Sequence, residues 1–271
     1  MTIYRDFFAL HPVFHHEELV RYLKEKNAFN QNTLKAALQY HISKQNISRI
    51  RRGYYLVINP AYSGHIANDY ILIAGRMTED AVISYHSAIE FHALTYSMNA
   101  VVYFCSKYEI GTMLTSHGHY QQVSHPAVLK PDHVFFETKV HDRQGLDIRV
   151  TTIERTLVDC LARPQFTLGW EEIWRSFEGI SFLDIDRVIA YALRLGNATT
   201  IAKLGFFLEQ HQEIFDVTDQ DLIKLEAHKP KSRHYMDKSA QGPVQSVKRW
   251  NLIVPLSIIN KDWEEPNHDD I

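Results

Sequence analysis

The chain has 271 residues, about twice the usual domain length, and its 45% hydrophobic and 23% charged composition excludes disorder, a collagen-like repeat and a coiled-coil rod. The net charge of -3 conceals an asymmetry: residues 1–60 hold nine Lys and Arg against four Asp and Glu, so the rest carries an excess of eight negative charges. No apolar run approaches the roughly 20 residues that cross a bilayer, and the N-terminus lacks the basic-then-apolar pattern of a signal peptide, so a cytoplasmic chain without membrane attachment is expected.

Within the basic segment, two helices are expected first. His15–Glu25 places Leu19, Val20, Tyr22 and Leu23 at helical spacing, and Asn27-Ala-Phe-Asn30 interrupts it before Gln31 begins a second helix capped by Asn30 or Asn32. The apolar stripe Leu34, Ala37, Leu38, His41, Ile42 then faces a core. That assigns Asn32, Ala36, Gln39, Tyr40 and Ser43 to the opposite face, with Thr33 and Lys35 on its flanks. Asn and Gln can pair bidentately with adenine, and Ala and the Thr methyl can touch thymine, so this face reads as a recognition helix.

Ile47–Ile58 is rich in β-formers, with Gly53 where a hairpin would reverse. Strand side chains alternate, so Arg49 and Arg51 are expected on one side and Ile50 toward the core. A helix–turn–helix followed by a basic hairpin is the pattern of a winged helix. From Asn27 to Asn68 there is no Asp or Glu, while Lys35, Lys44, Arg49, Arg51 and Arg52 all fall there, which suits a surface that neutralises phosphates. A solvated charged face and a winged helix used for protein contact are the alternatives.

Asn59-Pro-Ala-Tyr-Ser-Gly64 is the linker candidate. It divides the chain into a winged helix-turn-helix DNA-binding domain, 1–60, and a larger mixed α/β domain, 65–271, for an α+β protein overall. Beyond it, a helix expected at His65–Met77 leads to Ala81-Val-Ile-Ser84 and a second helix at His86–Leu94, and strand-like runs follow at Ala100–Cys105, Tyr120–Ser124, His133–Val140 and Leu146–Thr151. Helices then dominate, at Ile153–Ala162, Trp170–Phe177, Asp184–Leu195 and Thr199–Gln210, before a strand at Trp250–Leu256.

Few motifs in this region carry chemistry. Pro131-Asp132 with Glu137-Thr-Lys139 superficially offers a metal-dependent nuclease set, but in one strand Asp132 and Glu137 would lie roughly 17 Å apart on opposite faces. The 16 histidines include no HExxH, and Cys105 and Cys160 lack a CxxC partner and read as buried hydrophobes, so neither a metal nor a disulfide is expected. No phosphate-binding glycine loop, dinucleotide fingerprint or nucleophile elbow is present, so no cofactor or catalytic residue is assigned. Thr151 and Glu154 fit a capping box, with Arg155 and Asp159 an i,i+4 pair and Ile153, Leu157, Cys160 and Leu161 a buried stripe. Ser87 and Glu90 show the same box pattern.

Taken in order, Arg51-Arg-Gly-Tyr-Tyr55, Ser84-Tyr-His-Ser-Ala-Ile-Glu-Phe-His-Ala-Leu94, Val150-Thr-Thr-Ile-Glu-Arg-Thr-Leu-Val-Asp-Cys-Leu-Ala-Arg-Pro164, Leu195-Gly-Asn197, Lys203-Leu-Gly205, Leu208-Glu209 and Trp250-Asn-Leu-Ile-Val-Pro255 span nearly the whole chain. In this combination the chain resembles the AbiEi-type antitoxins of bacterial type IV toxin–antitoxin and abortive-infection modules. The resemblance implies a winged helix that binds inverted repeats in double-stranded operator DNA and autorepresses its operon. It also implies a C-terminal antitoxin domain that counters a nucleotidyltransferase-like toxin without a stable complex. The chain departs from the compact family pattern in its longer first segment, Met1–His15, which could add a helix, and in Ser-Tyr-His at Ser84–His86. The DNA-contacting residues expected are Asn32, Thr33, Lys35, Ala36, Gln39, Tyr40 and Ser43 on the helix and Arg49, Arg51, Arg52 and Tyr54 on the hairpin. A repressor that is not an enzyme is the expectation. A nucleic-acid-processing enzyme with a winged-helix targeting domain, and a winged-helix adaptor for a protein partner, are the alternatives.

Overall fold

A computed structural model describes residues 2–58, 69–129 and 133–263. The fold is α+β, with three β-sheets among the described residues. Two compact units share the chain: Met1–Ile83, Ala100–Ser124 and Val140–Val150 form the first, and Ser84–Asn99, His125–Lys139 and Thr151–Ile271 the second. The linker expected at 59–64 lies outside the described residues, as do residues 65–68 of the helix expected to follow it.

The first unit opens with α1 (Thr2–Leu10), β1 (Val13–His15), α2 (His16–Glu25), α3 (Gln31–Ser43), β2 (Ile47–Arg51) and β3 (Tyr54–Val57). The three strands form an antiparallel sheet in the order β1-β3-β2. Its core is aromatic: Phe7 and Phe8 of α1 pack on Phe14 of β1 and, with Leu19, Leu23, Leu34, Leu38, Ile47, Tyr55 and Val57, make one buried cluster. The Phe7 and Phe14 rings meet edge to face, 5.2 Å between centroids, and Phe14 stacks on Tyr55 at 5.3 Å. The long first segment thus supplies a helix whose phenylalanines complete the core. Gly53 reverses the β2–β3 hairpin at φ +76°, a left-handed conformation that a side chain resists, and its carbonyl accepts a hydrogen bond from His16 N at 2.7 Å.

The rest of the first unit is α4 (Tyr70–Gly75) and a six-stranded sheet. Its strands are β4 (Val82–Ile83), β5 (Val101–Cys105), β6 (Thr112–Thr115), β7 (Gly118–Val123), β8 (Thr138–Arg143) and β9 (Leu146–Thr151), ordered β6-β7-β5-β4-β9-β8. β4 lies antiparallel to β5 and parallel to β9, and β5 parallel to β7. Gln144 and Gly145, both at positive φ, make the tight β8–β9 turn. The strand expected over 133–140 starts only at Thr138. Residues 133–137 are turn, and Glu137 stands at φ +51°. The argument that set Asp132 and Glu137 apart rested on one extended strand, which is absent over 133–137, and Asp132 itself lies outside the described residues. Glu137 is instead ion-paired with Arg187 and accepts from Thr152 Oγ1 at 3.2 Å.

The second unit contains α5 (His86–Phe91), α6 (Ile153–Ala162), α7 (Trp170–Glu178), α8 (Ile185–Leu195), α9 (Ala198–Gln210), α10 (Gln212–Phe215), α11 (Asp219–Glu226) and α12 (Leu256–Ile259). A small sheet of β10 (His234–Tyr235), β11 (Val244–Val247) and β12 (Leu252–Pro255) has the order β10-β12-β11. Helix α6 is central, touching α5, α7, α8 and α9. Its cap is Thr152, which accepts from Arg155 N, one residue later than the Thr151 expected, because Thr151 still belongs to β9. Likewise Tyr85, at φ +55°, precedes α5, so Ser87 and Glu90 form no box there.

Residues 154–161 of α6 are all buried, the charged ones included. Arg155 is fully enclosed: Nε donates to Asp159 Oδ2 at 3.1 Å, Nη1 donates to the carbonyls of Val134 at 2.8 Å and Phe136 at 2.7 Å, and the guanidinium lies over the Tyr191 ring. Tyr191 OH donates to the other Asp159 oxygen at 2.8 Å. The expected i,i+4 pair is thus part of a buried knot joining α6, α8 and the 133–137 turn, where loss of one partner strands a charge. Asp159→Ala is expected to lower unfolding free energy by about 3–5 kcal/mol, read as a reduced urea midpoint at unchanged m. A loss below about 0.5 kcal/mol, the range of ordinary surface substitutions, would show the knot to be unimportant.

Candidate nucleic-acid interface

Helix α3 takes its orientation from its own side chains. Leu34, Leu38 and His41 are buried, while Asn32, Thr33, Lys35, Ala36, Gln39, Tyr40 and Ser43 are exposed. The helix starts where Asn30, in an extended conformation, accepts from the backbone N–H groups of Asn32 and Thr33, each at 3.0 Å. Thr33 Oγ1 also donates to Asn30 Oδ1 at 3.2 Å, so its hydroxyl is engaged in the cap, and Ser43 Oγ donates to Tyr40 O at 2.9 Å. Ile42, expected in the buried stripe, is 39% exposed.

His41 anchors the C-terminal half of α3. Its ring meets Phe8 edge to face at 5.0 Å and lies 5.7 Å from Tyr4, and Asn46 Nδ2 is 3.0 Å from its Nδ1. Burial holds its pKa below the ordinary imidazole value, so the ring is neutral and adds no charge to the exposed face.

The hairpin departs from simple alternation. A β-bulge between Arg49 and Arg51 leaves Ile50 without a cross-strand partner, so that Arg49 lies opposite Tyr55 and Arg51 opposite the next residue, Tyr54. The two guanidinium groups therefore project from opposite faces, not from one. Arg49 is exposed and borders a groove of about 340 Å³ together with His16, Gln31, Lys35 and Gln39, over a floor of Leu34, Leu38 and Tyr55. No acid lines this groove.

Arg51 takes the other side, where its Nη2 donates to Met77 O at 2.7 Å. It is half-buried and is not a companion to Arg49. Arg52 remains exposed in the turn. Tyr54 cannot touch a ligand: it is fully buried, its OH donates to Ile73 O at 2.8 Å, and burial pushes its phenol well above the ordinary range.

The contacts of Arg51 and Tyr54 belong to a bracket that the sequence reading missed. His15 Nε2 lies 2.7 Å from Arg76 O, and Arg76 pairs with Glu18, whose carboxylate also accepts from His15 N. At the β6–β7 turn, His117 Nε2 lies 2.7 Å from Ser48 Oγ on β2. Residues 73–77 and 117 thus fix the hairpin and α2 from behind. No local pattern marks them, because each contact is made by a side chain or carbonyl distant in sequence.

The chain matches no protein-family profile and no curated protein. Among solved structures it is similar to the crystal structure of the RV2827C protein from Mycobacterium tuberculosis, with a TM-score of 0.63 and 13% sequence identity over 97% of this chain and 94% of that one. The likeness is one of fold.

Two substitutions separate the scaffold from the exposed face. Asn30→Ala is expected to cost about 1 kcal/mol through the lost α3 cap, measured by urea unfolding. Tyr54→Phe is expected to cost about 1–3 kcal/mol by leaving the Ile73 carbonyl unpaired, while leaving affinity for duplex DNA unchanged in a fluorescence-anisotropy titration. A tenfold loss of DNA affinity in a folded Tyr54→Phe protein would contradict the interior role assigned to this tyrosine.

Proposed function

We propose that the chain is a DNA-binding transcriptional repressor of the AbiEi antitoxin type, acting by binding rather than by catalysis and without a cofactor. The observation that carries this reading is the exposed, acid-free surface made by the outer face of α3 and Arg49. Lys35 and Arg49 flank a groove, and Asn32, Gln39 and Tyr40 stand on the helix beside it. The element order α1-β1-α2-α3-β2-β3, with its β1-β3-β2 sheet, is the order a winged helix uses and supports placing α3 in a major groove. In that pose Asn32 and Gln39 meet base edges, Ala36 and the Thr33 methyl make apolar contacts, and Lys35, Ser43, Arg49 and Arg52 meet phosphates. Arg51 and Tyr54 are scaffold.

On this reading the DNA is the inverted-repeat operator of the chain's own operon, bound in the cytoplasm. The second unit then serves the antitoxic role against a nucleotidyltransferase-like toxin, without a lasting complex. The described residues include no helix long and apolar enough to cross a membrane.

Anisotropy titrations against the upstream DNA test the interface. Affinity is expected to fall steeply with salt, log K against log salt having a slope of about -0.9 per phosphate neutralised. Lys35→Ala and Arg49→Ala should each weaken binding to every duplex and flatten that slope by about one phosphate's worth. Gln39→Ala should keep the slope and lose about 1–3 kcal/mol of discrimination at one base pair. Salt-independent binding, or Lys35→Ala and Arg49→Ala proteins that bind as the parent does, would overturn the assignment.

A further inference from the structure

Most buried or half-buried cations of the second unit are matched by carboxylates: Arg155 by Asp159, Arg187 by Glu137, Arg249 by Glu209 and Glu226, Lys261 by Glu178. Lys203 is not. It sits in the second turn of α9, 8% exposed, and its ammonium makes one long hydrogen bond, 3.3 Å to Leu161 O, with the Trp170 ring centroid 4.9 Å away. Burial lowers its pKa to about 8, against the pull of Asp237. Enclosing an ammonium with so little compensation is unfavourable, and a methionine would fill the same space without the penalty.

The lysine lines a recess of about 530 Å³ that also draws on Arg233, His234 and Lys238 and on Thr199 and Thr200 in the first turn of α9. Arg233 and Lys238 are exposed, and among the described residues neither they nor Lys203 is within ion-pair distance of a carboxylate. Asp237, the one acid in the wall, is committed elsewhere. It accepts from Trp170 Nε1 at 2.9 Å and from Ser239 N and Oγ at 2.7 and 2.6 Å. His234 Nδ1 and Thr199 Oγ1 lie 2.7 Å apart, tying β10 to the helix start. The positive end of α9 adds to the field of the three cations.

We propose that this recess binds a small phosphorylated ligand, a phosphate monoester whose dianionic group rests on Lys203 with Arg233 and Lys238 closing over it. Lys203 is 8% exposed within this recess, so the ligand proposed is a small free anion and not the operator. The site lies in the second unit and involves no residue of α3 or the hairpin. Its failure would leave the DNA-binding reading standing.

The test is calorimetric titration of the full chain with inorganic phosphate, AMP and ATP, repeated with Lys203→Met and Arg233→Ala. Lys203→Met keeps the buried volume, and Arg233 is exposed, so at least one variant retains the fold. Saturable binding of at least one of the three anions is expected, weakened about tenfold or more by each substitution, the range for a lost hydrogen bond to a charged group. It should also weaken above pH 8 as Lys203 loses its proton. Equal affinity for phosphate and AMP means that the anion alone is recognised; tighter AMP or ATP assigns the remaining space, beside Tyr235, to the nucleoside. Binding of none of the three at millimolar concentration overturns the proposal, as does binding that either folded variant leaves undiminished.

Discussion

The interface depends on the way one side of α3 is driven into an aromatic core. Leu34, Leu38 and His41 pack against a cluster begun by Phe7 and Phe8 of α1 and continued by Phe14 and Tyr55 of the sheet. At about 25 cal/mol per Å² of apolar surface, these side chains together outweigh any polar preference of the helix. Rotation of α3 by even one residue, about 100°, would bury Lys35 or Gln39 and expose Leu38. Core packing thereby decides which residues the surface presents, and the absence of acids from 27 to 68 decides its sign.

The hairpin is under a different constraint. Its bulge at Ile50 keeps that side chain in the interior and splits the basic pair, turning Arg49 toward α3 and Arg51 toward the 73–77 segment. One arginine is spent on holding the scaffold so that the other is presented. A hydrogen bond from a guanidinium to a backbone carbonyl is charge-assisted, and together with Tyr54 to Ile73 it joins the hairpin to α4 and the segment after it. The first unit therefore reaches well beyond residue 60, taking in the six-stranded sheet. Arg155 plays a comparable part in the second unit, gathering α6, α8 and the 133–137 turn around one guanidinium.

Periodicity made the helices readable. The 3.6-residue spacing located α2, α3, α6, α7, α8 and α9 within one or two residues, and the glycine at 53 marked the hairpin reversal. What stayed hidden was non-local or depended on a single residue. A bulge has no sequence signature beyond its neighbours, so Arg49 and Arg51 read as a pair. Tyr54 read as accessible because alternation alone does not reveal that all four residues of β3 are covered. Residues 133–137 have strand-like composition, but Arg155 and Arg187 capture the Phe136 and Val134 carbonyls and the Glu137 side chain in a turn. The Lys203 recess was invisible because residues 197–203 and 233–238 are joined only in the folded chain.

Tyr40 offers the most direct measurement of the central claim. It stands on the outer face of α3, 42% exposed, whereas Met98, 92% exposed, belongs to the second unit and is not among the proposed interface residues. Hydroxyl-radical labelling of the protein with and without its upstream duplex, read by mass spectrometry, compares the two side chains in one sample. The account predicts that DNA suppresses oxidation of Tyr40 relative to Met98. Tyr40 oxidised equally in the bound and free protein, under conditions where the duplex is fully bound, would contradict it.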